Sequence, residues 1–389
     1  LNASRIKITL STERKPIPAP DAPEVLAHKA CTDHMISARW TAESGWGNPT
    51  LIPYRPLALA PIASTLHYAT QCFEGMKVYR GYDGKLRLFR PTLNCARMLS
   101  SSERIGLPRF NPDELHRLIH KLCAVEGPRW LSADRGGECM YIRPTLVGTG
   151  EGLGLAAPPE AHLYIVLSYW PSPTPSPSPK QEKTLRLWCS TDDMVRAWPG
   201  GTGNVKVGAN YGPSLYGHQK ALEAGYDQVL WLFGPDRQIT EAGATNFFII
   251  WESPDDGHLQ LITSPLEDNI TLPGITRRSI LELARERLSD APLQVNMDDG
   301  SSRIVEPLEV VEERFTIHDV VNAAEEGRLR GAFSSGTAFF IVPVSCVKFQ
   351  DTEVRVPVDD VPYAAVLRQW MADIVYGKKE SRWTEVVEE

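Results

Sequence analysis

Apolar residues recurring every three to four positions predict helices at "DELHRLIHKLCAV" (113–125), "TRRSILELARERL" (276–288), "IHDVVNAAEEG" (317–327) and "YAAVLRQWMADIVYG" (363–377). Shorter continuous apolar runs predict strands. Two of these, "CMYIRPTLVG" and "HLYIVLSYW", fall before residue 171; "DQVLWLF", "NFFIIWE", "LQLITSP" and "FFIVPVSCVKF" follow it. The rest of the first part reads as loops rich in Ser and Thr. Strands do not alternate one for one with helices, so the pattern predicts an α+β fold with two mixed sheets and flanking helices rather than a doubly wound one. Between the two sets lies "WPSPTPSPSPK" (170–180), whose five prolines forbid helix and central strand. A chain of 389 residues exceeds one hydrophobic core. The expected division is a smaller α/β domain over 1–170, a Pro/Ser-rich loop over 171–184 and a larger domain over 185–389.

Composition narrows the partners. A net charge of −7 without any run of Lys or Arg leaves no footprint for nucleic acid or an anionic membrane, and apolar runs such as "NFFIIW" are too short to span a bilayer. Seven scattered cysteines, odd in number and with no CxxC, argue against a disulfide scaffold or a zinc site and for a reducing compartment. The opening "LNASRIKITLSTERKPIP" is basic and hydroxyl-rich, as a trimmed organellar presequence would be.

The chemistry centres on "GGTGNVKVGANYGP" (200–213), where Lys206 sits among five glycines. A lysine so placed could bind phosphate, act as a base or form a Schiff base. The phosphate-loop pattern, GxxxxGK then Ser or Thr, fails because Val205 precedes the lysine and Val207 follows it. Other motifs are weaker. His116 and His120 have a metal-compatible spacing but lack the HExxH glutamate and a third ligand, so no metal is expected. "GTGEGLG" (148–154) misses GxGxxG and reads as a turn, and no GxSxG is present.

Several further segments share the punctuated character. "LHYATQCFEGMKVYRG" (66–81) holds Tyr68, Phe73, Glu74 and Lys77, and "YIRP" puts Tyr141 and Arg143 on one strand face. "ITEAGATNFF" places Glu241 in a turn before a buried strand. "LPGITRRS" sets Ile275 and Thr276 at a helix start, where free N–H groups bind anions, and "FSSGTAFF" supplies a turn with Thr337. Together they offer an amine, an acid and donors for a phosphate and a carboxylate, which is the set that pyridoxal phosphate chemistry requires.

In this order, with "SGWGNPTLIPY", "LRLFRPTLNCARM" and "QVLWLFGPDRQITEAGATNFF", the segments resemble the branched-chain amino acid aminotransferases, fold-type IV pyridoxal phosphate enzymes of the D-amino acid aminotransferase-like fold. The resemblance runs from about residue 31 to 377. It implies Lys206 as the Schiff-base lysine and proton carrier, Tyr211 as the partner of the cofactor's O3′, and Glu241 as the acid facing the pyridine nitrogen. It also implies Arg97, rather than Arg90, as the phosphate arginine, with Ile275, Thr276 and Thr337 around it. Tyr68, Phe73, Tyr141, Arg143 and Ala338 match the substrate pocket. The family's site lies between two domains and is completed by a second subunit, so a homodimer is expected, with Leu153 to Ala156 at the contact. The activity implied is reversible amino transfer between leucine, isoleucine or valine and 2-oxoglutarate, in cytoplasm or mitochondrion. Three departures stand out: the Pro/Ser run replaces the family's glycine-rich lid, "FFIV" stands where mammalian members carry a CxxC pair, and Ala244 replaces a threonine. The first and third motivate a second reading, a relative turned to aromatic or other bulky 2-oxo acids.

Overall fold

The computed structural model describes residues 1–171, 184–338, 340–358 and 362–389, so the Pro/Ser-rich run from Ser172 lies outside the described residues. The chain forms two compact units. One comprises Leu1–Pro177, Val205–Ala209 and Asp373–Glu389; the other comprises Ser178–Asn204 and Asn210–Ala372.

The first unit contains strands β1 (Cys31–Thr41), β2 (Gln71–Phe73) and β3 (Met76–Arg80), helices α1 (Pro91–Arg104) and α2 (Pro112–Trp130), and strands β4 (Cys139–Gly148) and β5 (Glu160–Trp170). Strand β1 runs antiparallel to β5, β5 to β4, and β4 to both β2 and β3. Val78, Leu88, Met98, Leu118, Leu122, Ile142 and Ile165 are buried in one core between sheet and helices. Helix α2 starts where Asn111 caps it, accepting from Asp113 N, with Pro112 in the first turn. It runs on through Pro128, five residues beyond the expected end at Val125, because its last turn buries Glu126, Gly127 and Trp130.

Helix α1 is a correction. Its sequence "PTLNCARMLSSSER" has the poor helix formers Ser and Asn and reads as loop. Tertiary burial of Cys95 and Met98, with Asn94, Ser101 and Ser102 satisfied on the same inner side, overrides that preference. Strand β1 is likewise hidden in the sequence, its apolar positions interrupted by Asp33 and His34, both buried.

The second unit follows the expected strands closely. It contains α3 (Tyr211–Glu223), β6 (Gln228–Phe233), β7 (Gln238–Ala242), β8 (Thr245–Glu252), α4 (Ile275–Arg287), α5 (Ile317–Glu325), β9 (Leu329–Gly336) and β10 (Phe340–Phe349). The sheet order is β7, β6, Leu185–Cys189, β10, β9, β8, then Leu259–Thr263 and Glu309–Glu312. An additional pairing of β7 with β8 closes the first part of this order into a ring. Leu185–Cys189 is parallel to both neighbours while β8 is antiparallel to β9, so the sheet is mixed, as the pattern predicts.

Candidate active site

Lys206 owes its place to its neighbours. Val205 and Val207 are 7% and 0% exposed and belong to the first unit's core, while Lys206 between them is half-buried. The main chain is pinned on both sides: Lys206 N donates to Ser101 Oγ (2.9 Å), Phe73 N donates to Lys206 O (3.1 Å), and Val207 bridges Cys72. The Nζ lies 5.1 Å from the Phe73 ring centroid. The valines that break the phosphate-loop pattern are thus the anchors that present the amine.

Around Lys206 the first unit gathers most of its expected residues. Arg143 lies 4.5 Å from the Phe73 ring centroid and donates to the Tyr141 hydroxyl (3.1 Å), which the shared strand face predicted. Tyr141 stacks on Trp170 with centroids 4.7 Å apart. Gly75 is obligatory here, because a Cβ at that position would overlap the Tyr141 hydroxyl. Arg97 makes a two-pronged ion pair with Glu74, Nε to Oε1 at 2.6 Å and Nη2 to Oε2 at 2.8 Å. Burial alone would raise the Glu74 carboxyl, but the charges of Arg97 and Lys206 and a bond from Asn94 hold it below the ordinary carboxylate range. Arg90 is spent elsewhere: it stacks 3.7 Å from the Trp383 ring centroid. His116 and His120 meet the C-terminal segment at Glu385 and Val386. Tyr68 donates its hydroxyl to the Leu153 carbonyl.

In the second unit, Glu241 lies on strand β7 rather than in a turn; the turn comes just after the strand, at Gly243 and Ala244. Strand pairing with β6 and β8 draws it in, leaving it 2% exposed. Asn246 Nδ2 and Leu272 N each donate to Oε1 at 3.2 Å, and Arg196 Nη2 stands 2.6 Å from Oε2. Asn246 also donates to the Leu272 carbonyl (3.0 Å). Its Oδ1 occupies the space a Cβ on Gly274 would need, so only glycine serves as N-cap of α4. That helix therefore opens without a side-chain cap, and the amides of Ile275 and Thr276 stand in its first turn. Tyr211 begins α3, after Asn210 has been fixed to Thr202 by two hydrogen bonds. Thr337 and Ala338 form part of the turn between β9 and β10.

Sequence reasoning alone names Glu74 without a partner or a role and does not single out Arg196 or Asn246. Their signal is a polar residue inside an otherwise apolar or glycine-rich segment, in "CFEGM", "VRAWPGG" and "TNFFII".

A family model described as amino-transferase class IV matches residues 71–299. The chain belongs to that family. This class IV aminotransferase is 40% identical, over 100% of its own length and 98% of the relative's, to the cytosolic branched-chain-amino-acid aminotransferase of Saccharomyces cerevisiae. It is 39% identical to the mitochondrial one of Schizosaccharomyces pombe, covering 97% of this chain and 84% of that one. The fold of the class IV aminotransferase is also that of the branched-chain amino acid aminotransferase from Escherichia coli. The two superpose with a TM-score of 0.66 over 91% of this chain and 99% of the other, at 22% identity, which places this chain in fold-type IV.

Proposed function

We infer that the protein is a branched-chain-amino-acid transaminase, using pyridoxal phosphate to move the amino group between leucine, isoleucine or valine and 2-oxoglutarate. The observation that carries this is full-length identity near 40% to enzymes of that name. The residues present suit the cofactor: a half-buried lysine pinned by its main chain, a buried acid braced by an arginine, and a helix whose N-cap glycine supplies no side-chain cap.

Pyridoxal phosphate, when bound, supplies an aldehyde to receive the amino group and a ring that withdraws electrons from the substrate's Cα. We assign its phosphate to Arg97, the amides of Ile275 and Thr276 and the hydroxyl of Thr337, a cation and a helix start being the usual anion ligands. Glu241 takes the pyridine nitrogen, where its charge favours the protonated form. Tyr211 would hold the phenolic oxygen through its hydroxyl, and Lys206 Nζ would serve as the base that takes the proton from the substrate's Cα. Arg143 binds a substrate carboxylate. Phe73, Tyr141 and Tyr68 line the side-chain space, and Ala338 offers a backbone donor.

The competing reading, a preference for aromatic 2-oxo acids, is motivated by Ala244, exposed in the β7–β8 turn. A donor panel with 2-oxoglutarate as acceptor separates the two. Leucine should exceed phenylalanine in kcat/KM by at least about tenfold, the scale on which a shaped apolar pocket discriminates. Phenylalanine turning over as fast as leucine would overturn the branched-chain preference.

We propose a homodimer. Ile62, Leu66, Leu153 and Leu155 are exposed, Leu155 by 84%, and they are joined into one surface by Gly152 N bonding the Ile62 carbonyl (3.1 Å) and by Tyr68 bonding Leu153. Sedimentation at micromolar concentration should give twice the chain mass, and Leu155→Glu should shift it towards the monomer; a wild-type monomer would refute the assembly. The named relatives act in cytosol or mitochondrion, and the same two compartments are assigned here. Among the described residues no helix is long and apolar enough to cross a membrane.

A further inference from the structure

Glu74 is 0% exposed, and a carboxylate without solvent must be repaid by donors. It has four: Arg97 Nε on Oε1 (2.6 Å), and on Oε2 Arg97 Nη2 (2.8 Å), Asn94 Nδ2 (2.8 Å) and Gly75 N (3.1 Å). Asn94, Arg97 and Ser101 are spaced three and four apart on α1 and share one helix face. That face meets the Lys206 segment directly, since Ser101 Oγ accepts from Lys206 N and donates to the Arg97 carbonyl (2.9 Å). On the other side Phe73, the residue before Glu74, bonds the Lys206 carbonyl. Acid, arginine and lysine are therefore tied into one frame by main-chain bonds.

We propose that Glu74 is a positioning residue that grips Arg97 by its Nε–Nη2 edge, aims the opposite edge at the cofactor's phosphate, and sets a negative charge beside Lys206. The proposal rests on the cofactor assignment made above. A planar guanidinium held at two points loses both translation and rotation, which a single-point pair with lysine would not achieve. Because Arg97, Lys206 and Asn94 outweigh the effect of burial on its carboxyl, Glu74 carries its charge at neutral pH.

The test uses full-length apoprotein, wild type and Glu74→Gln, titrated with pyridoxal phosphate and with pyridoxal, which lacks the phosphate. Glu74→Gln should weaken pyridoxal phosphate binding by at least about tenfold while changing pyridoxal binding by less than about threefold, the loss of one well-placed charged bond. The pH midpoint of the bound cofactor's visible absorbance should also fall by about one unit, since an anion near Lys206 has been removed. Glu74→Asp retains the charge but retracts it by one methylene. It should keep the midpoint and lose part of the preference for the phosphate, and it carries the test if Glu74→Gln does not fold. Equal losses for both ligands with an unmoved midpoint would mean a purely structural acid and overturn the proposal, as would a Glu74→Asp variant with the wild-type preference. Wild-type protein that took up no pyridoxal phosphate would overturn the cofactor assignment as well; normal uptake by wild type and by both variants would overturn this inference alone.

Discussion

Lys206→Ala should lower leucine–2-oxoglutarate transamination by at least about 10⁴-fold, the upper range for removing a group that transfers the proton at the reacting centre. The effect should be confined to chemistry. Two hydrogen bonds that fix residue 206 use its main chain, and Val205 and Val207 remain in the core, so the segment keeps these anchors without the amine. Thermal unfolding should therefore move by no more than about 1 kcal/mol, as for substitutions outside the core. Borohydride treatment should attach the cofactor to wild-type protein at the peptide containing Lys206 and leave the variant unlabelled. Turnover at the parental rate in the variant would end the assignment of Lys206.

Glu241→Gln should cost about 10²–10³-fold in kcat/KM, the range for losing one preorganised charge at a reacting site. Here stability should fall too. Arg196 is buried to 8% exposure against the carboxylate, and a neutral amide leaves its charge uncompensated, at a cost of about 3 kcal/mol. Adding Arg196→Met to Glu241→Gln should restore much of the stability and none of the activity. Calorimetry with steady-state kinetics reads both. Parental kcat/KM in Glu241→Gln would dismiss Glu241 as the pyridine partner, and recovery of activity in the double variant would make its role structural.

Apolar continuity is enough to find β4, β5, β6 and β8: β6 and β8 are buried on both faces through their middles, and β5 alternates buried with half-buried residues that are themselves largely apolar. The two-residue alternation likewise foretells that Tyr141 and Arg143 meet. Helix α1 escapes because its inner face mixes Cys95 and Met98 with Asn94, Ser101 and Ser102, and serines that look like loop residues are satisfied by the backbone of the same helix, as Ser101 is by Arg97. Glu241 reads as a turn residue because the pairing of β7 with β8 across the ring is a tertiary event with no local pattern. Arg196 and Asn246 are missed, and Glu74 is named without a role, for one reason: a buried polar residue is spelled like an exposed one, and only its partners distinguish the two. The flanking valines of Lys206 are plain in the sequence, yet without the core they enter they can only exclude a phosphate loop.

Gly75 constrains the order in which this pocket can change over generations. A side chain there requires Tyr141 to move, whereas Tyr141 can shrink without help from Gly75. A library that varies positions 75 and 141 together should therefore return more active clones than one that varies 75 alone.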